Sequence, residues 1–222
     1  MGMLRELRRQ NIGSDVRLAV CVPCRDMVHS AFTFSLCKMI EHNNNVGIPT
    51  SVHFNMGTLL VDQRETLVDM ARGTYSTHIL WLDSDMMFPA DVAQRLLSHG
   101  KPLVAGNYVT RQYPHKTVAY ADLTDWKSYV MHGDGDRDLV SVAAVGMGCM
   151  LTNMSLFDQM SEPYFDVTWD PNSKNRLGED FFLCGKVRDL GHDILIDPSV
   201  SLELKHLGVF AFDHAICMPG ME

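Results

Sequence analysis

The segment Thr77-His-Ile-Leu-Trp-Leu82 stays apolar without alternation and then stops on Asp83-Ser84-Asp85. A strand with no polar face must be covered on both sides, which places it inside a sheet flanked by two layers of helices. The same run leaves two carboxylates, one residue apart, at the carboxyl end of that strand. Open α/β sheets bind their ligands at this edge. Two hard oxygen donors there suit Mg²⁺ or Mn²⁺ held together with the phosphates of a nucleotide. The plainer alternative is a polar turn closing a strand, and the tripeptide alone does not separate the two.

The surrounding pattern supports the layered fold. Apolar runs at 16–22, 50–55 and 79–82 and a start at 102–105 read as four strands, the first ending at Pro23. Between them, segments 31–42, 59–71 and 90–99 carry apolar residues at helical spacing, the last opening after Pro89 and stopped by Gly100. Strand and helix in alternation predict a doubly wound, mostly parallel sheet. The second half is mixed. Strands are expected at 117–121 and 139–144, around the polar stretch His132 to Asp138, followed by a Gly-rich strand, Val145-Gly-Met-Gly-Cys-Met-Leu151. A short helix at 155–160, a polar loop through Asn175, a helix at 179–190 and a strand at 194–196 complete the chain. The expected organisation is an N-terminal extension over 1–15 and one α/β domain over 16–222. Its nucleotide-binding half covers about 16–110 and its acceptor or catalytic half about 111–222.

Charge and cysteine usage narrow the function classes. Acidic residues outnumber basic ones 27 to 19, and no Lys/Arg block exists, so sequence-independent binding to nucleic acid is not expected. No apolar run approaches the ~20 residues that span a bilayer. The charged stretch Met1 to Asp15 lacks the apolar segment of a secretory signal, which predicts a cytoplasmic protein. Leu4 and Leu7 with Arg5, Arg8 and Arg9 read first as a plain surface helix or disordered extension, with a short amphipathic helix on anionic lipid as the alternative. Cys21 and Cys24 have redox-motif spacing, but no matching pair for zinc follows, and buried free thiols are expected. The 15 methionines read as core filling. The run Asp134 to Asp138 reads as a hairpin loop over the donor, with a second metal site as its alternative.

Four further segments stand beside Asp83 and Asp85. Gly146-Met147-Gly148 removes two side chains within a strand pattern, letting another backbone or a ligand come close. Gly178-Glu179-Asp180 sets two acids at a helix start, where the dipole favours negative charge. His206 offers an imidazole, and Arg64 on its helix offers a planar fork for a phosphate. Singly, each has an ordinary structural use: helix N-terminal acids, a bulge, a packed histidine, a solvated arginine. Their order along the chain is what points to a site.

That order resembles GT-A-type glycosyltransferases, from about Val16 to Gly208, and is similar above all to the inverting, family-2-like members. The carrying segments are THILWLDSDMMFP, VAAVGMGCMLTNMSLF and GEDFFLCGKVRDLGHDILIDPSVSLELKHLG. The resemblance implies transfer of a sugar from a nucleoside diphosphate sugar, UDP favoured and GDP second, to a carbohydrate or other hydroxyl acceptor, with Mn²⁺ or Mg²⁺ as cofactor. It implies that Asp85 binds the metal, that Asp83 contacts the ribose or the metal through water with Ser84 beside the nucleotide, and that His206 completes the metal shell. Pro23, Arg25 and Asp26 would border the nucleotide, and Arg64 would face the diphosphate or base. Gly146, Met147 and Gly148 would form the floor under the donor sugar and the acceptor. Asp180 would be the general base, with Glu179 second. The loop Pro23-Cys-Arg-Asp26 departs from the usual Pro-x-x-Asn/Tyr opening, and the short tail after His206 favours a single transfer over polymer extrusion.

Three other classes share features of the chain. A sugar nucleotidyltransferase would need a Gly-rich loop after the first strand, which Val22-Pro-Cys-Arg-Asp26 lacks. A haloacid-dehalogenase-type phosphatase carries its Asp-x-Asp at the first strand, followed by Thr or Val rather than Met86-Met87. An inactive nucleotide-sugar binding module would keep the fold without the chemistry.

Overall fold

A computed structural model of the chain describes residues 15–111, 113–123, 125, 127–171, 174–208 and 211–214. The expected N-terminal helix and Cys217 lie outside these residues. In chain order the first half comprises β1 (Leu18–Cys24), α1 (Ser30–Val46), β2 (Thr50–Met56), α2 (Leu60–Gly73), β3 (His78–Leu82), β4 (Met86–Met87), α3 (Val92–Ser98) and β5 (Leu103–Ala105). The second half comprises β6 (Ala119–Tyr120), β7 (Val140–Val142), β8 (Ala144–Val145), β9 (Cys149–Asn153), α4 (Met154–Gln159), β10 (Thr168–Asp170) and β11 (Asn175–Leu177). It ends with α5 (Glu179–Asp189), β12 (Ile194–Ile196), α6 (Pro198–Ser201), β13 (Lys205–Leu207) and β14 (Ala211–Phe212).

Seven strands form the central sheet in the order β2-β1-β3-β9-β5-β12-β7. The strands β2, β1, β3, β5 and β12 run one way, and β9 and β7 run against them. The fold is therefore the expected single α/β domain, with a mixed, mostly parallel sheet flanked by helices. Side chains from successive residues of β1 and β3 alternate between two apolar layers. Ala19, Cys21, Ile79 and Trp81 pack on one face with Leu67 of α2, Phe157 of α4 and Leu183 of α5. Leu18, Val20, Leu80 and Leu82 pack on the other with Phe32 and Met39 of α1, Leu96 of α3 and Val200 of α6. This is why the Thr77–Leu82 run has no polar phase: both of its faces are core. Trp81 is fully buried, edge-on to Phe165 and Phe157, and its Nε1 donates to Thr152 Oγ1 at 3.0 Å.

Several expectations from sequence change in the second half. The Gly-rich strand is two short strands, β8 and β9, with Gly146 to Gly148 turning between them. Leu82 pairs with Cys149, so that turn sits at the carboxyl edge of the sheet and β9 must descend antiparallel from it. The strand expected over 139–144 divides into β7 and β8 at Ala143, and the one over 117–121 shrinks to β6. The loop expected through Asn175 contains a hairpin, β10–β11, pairing Trp169 with Arg176 just before Gly178. Asp134 to Asp138 is an exposed turn, in which Asp136 accepts from the backbone N–H of Gly133. Of the five described cysteines, Cys21, Cys24, Cys149 and Cys184 are buried free thiols as expected, whereas Cys37 is exposed.

Candidate active site

The carboxyl ends of β1 and β3 and the start of α5 bring the sequence-flagged residues to one edge of the sheet. Three backbone hydrogen bonds wire the Asp83–Asp85 turn in place. Asp83 N–H donates to Gly148 O at 3.1 Å, His29 N–H to Ser84 O at 3.3 Å, and Leu207 N–H to Asp85 O at 2.7 Å. Strand β13 pairs with β4 so that His206 lies opposite Met86, which sets the imidazole beside Asp85 despite 121 positions of separation (206 − 85).

Asp85 and His206 form the first part of the site. His206 Nδ1 donates to Val109 O at 3.0 Å, because a carbonyl can only accept. Its Nε2 is thereby turned toward Asp85 Oδ2, 3.6 Å away. Arg111 Nη1 lies 2.9 Å from the same oxygen. Burial alone would raise the Asp85 carboxyl, but its contact with His206 and the positive charge of Arg111 outweigh that and hold it below its usual range. A carboxylate and an imidazole whose other nitrogen is fixed on a carbonyl match the donors of many divalent metal sites. The pair supplies two donors of the kind such a cation would take. The third expected ligand does not join them: Asp83 is engaged elsewhere, and among the described residues no group of three His, Cys, Asp or Glu side chains is arranged to hold a metal ion.

Asp83 belongs to a second cluster, in which Asp83, Glu179 and Asp180, all part-exposed, surround the buried guanidinium of Arg64. The guanidinium of Arg64 is 2% exposed, with Nη2 at 3.3 Å from Asp83 Oδ1 and 3.2 Å from Glu179 Oε1. It stacks over the Trp81 ring, 5.9 Å from the centroid. The expectation that Arg64 faces a diphosphate gives way here to a residue tying β3 to α5. One guanidinium contacts two of the three carboxylates, so its single charge does not balance theirs. Burial first, and then the neighbouring charges of Asp85 and Glu179 against that of Arg64, raise the Asp83 carboxyl. Asp180 is pushed up to about 7 by burial and by the charge of Glu179, against the pull of Arg64. A carboxylate poised near neutrality is the usual condition of a general base.

The glycines around the cluster have specific neighbours. A Cβ on Gly178 would stand 2.6 Å from Asp180 Oδ1, so this glycine makes room for the carboxylate, which accepts from Phe181 N–H at 2.8 Å. A Cβ on Gly146 or Gly148 would meet the Tyr108 side chain at 2.8 or 2.7 Å. The close approach expected of this Gly-x-Gly is therefore made by Tyr108, not shown for a ligand, and Met147 is buried in the core. Tyr108 Oη accepts from Gly148 N–H at 3.1 Å, and its ring stands edge-on to His206 at 5.2 Å between centroids. Sequence reading missed Tyr108 and Arg111, although both lie in one short segment after β5. The Asp197-Pro-Ser-Val200 motif is a helix cap: the Asp197 carboxylate accepts from Val200 N–H and Ser199 Oγ.

Beside Asp85 a cleft of about 390 Å³ opens between the end of β1, the segment after β2 and the start of α2, lined by Pro23, Arg25, Met27, Leu60, Ser84 and Asp85 among others. Two of the three residues expected to border a nucleotide, Pro23 and Arg25, are on its wall, whereas Asp26 is exposed outside it. A second cleft of about 420 Å³, near Ser141, Arg188 and His192, lies at the far end of α5, roughly 14 Å along the helix from Glu179.

The fold has a solved counterpart. A197 from STIV superposes with a TM-score of 0.60 at 16% identity, over 87% of this chain and 86% of that one. A glycosyltransferase involved in glycosylation of the major capsid of PBCV-1 aligns at a TM-score of 0.36 and 11% identity, over 67% of this chain and 68% of that one. The first likeness is one of fold; the second is too distant to bear on fold or function. No protein-family model and no curated protein matches the chain. Among the described residues, no helix is long and apolar enough to cross a membrane.

Proposed function

We propose that the chain is a metal-assisted glycosyltransferase that moves a sugar from a nucleoside diphosphate sugar, UDP favoured, to a hydroxyl acceptor with inversion. The observation that carries this reading is the convergence of two unlike carboxylate environments at one sheet edge. Asp85 is held ionised beside His206 and next to the cleft, while Asp180, from a segment far along the chain, is part-buried and poised near neutrality.

In this reading the nucleoside lies in the cleft against Pro23, Arg25 and Ser84. Asp85 and His206 hold the cation, which supplies charge stabilisation to the departing diphosphate. Asp83 orders the site through Arg64 rather than as a direct ligand. The Gly146–Gly148 turn supports the floor by seating Tyr108 and the backbone of Asp83. Asp180 accepts the proton of the acceptor hydroxyl as that oxygen attacks the anomeric carbon. A pKa near 7 suits the role, since the carboxylate is then both available and basic. Glu179 stays paired with Arg64, which favours Asp180 as the base of the two acids.

Calorimetric titration of UDP, GDP, CDP and ADP, with Mn²⁺ and then with EDTA, tests the binding half of the proposal. Metal-dependent binding of one nucleotide, lost in Asp85→Ala, is the expected result. Binding of no nucleotide in either condition would remove the reading. An inactive binding module is separated by donor hydrolysis: it would bind UDP with Mn²⁺ yet never release UDP from a UDP-sugar.

A further inference from the structure

Three of the four residues from Tyr108 to Arg111 contact the Asp85–His206 pair. The Tyr108 ring fixes one face of the imidazole, Val109 O holds its Nδ1–H, and Arg111 supplies the charge opposite Asp85. Arg111 Nη1 makes two contacts at once, 2.9 Å from Asp85 Oδ2 and 3.0 Å from the backbone oxygen of Leu207. The side chain nevertheless remains 45% exposed and comes from an irregular segment. Asp85 Oδ2 is also the oxygen nearest His206 Nε2. The guanidinium thus stands on the same carboxylate oxygen that, with the imidazole, would take a divalent ion.

We propose that Arg111 is an exchangeable counter-cation: it neutralises Asp85 when the site holds no nucleotide, and it transfers to the diphosphate when a divalent metal takes Asp85. This rests on the glycosyltransferase reading of the cleft and adds a second cationic group for the leaving diphosphate. Two features support the exchange. A guanidinium and a divalent cation repel each other strongly when both sit against one carboxylate oxygen, so metal binding drives the side chain away. A released guanidinium is a planar fork matched to paired phosphate oxygens, in a way a lysine ammonium is not. Because Arg111 is exposed and loop-borne, its movement requires no repacking of the core.

The proposal predicts competition between the arginine and the metal, which is read by binding rather than by turnover. Free Mn²⁺ is titrated calorimetrically, without nucleotide, into the wild type, Arg111→Gln, Arg111→Lys and Asp85→Asn, with thermal unfolding confirming that each variant is folded. Arg111→Gln is expected to bind Mn²⁺ about tenfold more tightly than the wild type, Arg111→Lys to stay near the wild type, and Asp85→Asn to lose the site. At saturating Mn²⁺, UDP affinity is expected to fall about tenfold in Arg111→Gln, with Arg111→Lys recovering only part of it. Asp85-dependent Mn²⁺ binding of equal strength in the wild type and Arg111→Gln would overturn this proposal and leave the glycosyltransferase reading intact. Unchanged UDP affinity in Arg111→Gln would likewise overturn the transfer to the diphosphate. Failure of every variant to bind Mn²⁺ or UDP would overturn both readings together.

Discussion

Asp180 shows how one side chain links stability to chemistry. Folded, its carboxyl keeps its proton up to about pH 7, whereas the ordinary value is 3.8. Between those values the folded chain binds more protons than the unfolded one, so this group lowers stability progressively as pH rises, by up to roughly 4 kcal/mol above pH 7. Asp180→Asn is therefore expected to raise the thermal midpoint at pH 8 more than at pH 4, while lowering transfer about 10²- to 10⁴-fold. Thermal unfolding at the two pH values, set beside transfer rates, checks both halves. Gly178→Ala tests the position of the same carboxylate, because the added methyl would lie 2.6 Å from Asp180 Oδ1. It is expected to reduce kcat with little change in KM for the donor, measured by steady-state kinetics. In sequence, Gly178-Glu179-Asp180 was visible as a helix start. That Asp180 would titrate near neutrality was not, since that depends first on how elements distant in sequence bury its carboxyl.

Elements, rather than residues, explain where the sequence misled. The Gly146–Gly148 spacing correctly announced a close approach, but the visitor is the Tyr108 ring, delivered by the segment after β5. A single ring between β9 and His206 leaves no periodic trace. Gly148→Ala is expected to cost about 1–3 kcal/mol by forcing that ring from its seat, read as a lower midpoint in urea unfolding. Arg64 misled in the opposite sense. Its place on the buried face of α2 was legible from the spacing with Leu60, Leu67 and Val68, yet an arginine there suggested a ligand contact. Two carboxylates from β3 and α5 meet it instead. Arg64→Met removes the buried guanidinium that faces Asp83 and Glu179 and is expected to destabilise the fold by about 3–5 kcal/mol at pH 8, less at pH 5, where the raised Asp83 carboxyl takes up its proton more readily. Arg64→Lys is not expected to restore it, since a point charge lacks the fork that reaches both. Urea unfolding of the two variants at both pH values checks this. The hairpin β10–β11 was hidden because its strands are only three residues each and mostly polar.

At the scale of the whole molecule, the layered α/β architecture was legible because β1 and β3 are apolar on both faces and alternate with helices. The place of β9 was not, since nothing in its sequence distinguishes a strand running up from one running down; only its pairing with Leu82 does. That topology makes the site: the parallel strands carry Asp83, Asp85 and the Pro23–Arg25 wall to one edge, and the later elements fold back onto it with Asp180 and His206. Transfer at this edge turns on Asp180 acting as its base. The most direct test is the pH dependence of UDP release from UDP-sugars with Mn²⁺, in the wild type and Asp180→Asn. The predicted result is a rate that rises with pH to a plateau, with a midpoint near 7, and that is lost in the variant. Release that is absent for every sugar nucleotide, or that proceeds undiminished and with the same pH dependence in Asp180→Asn, would contradict it.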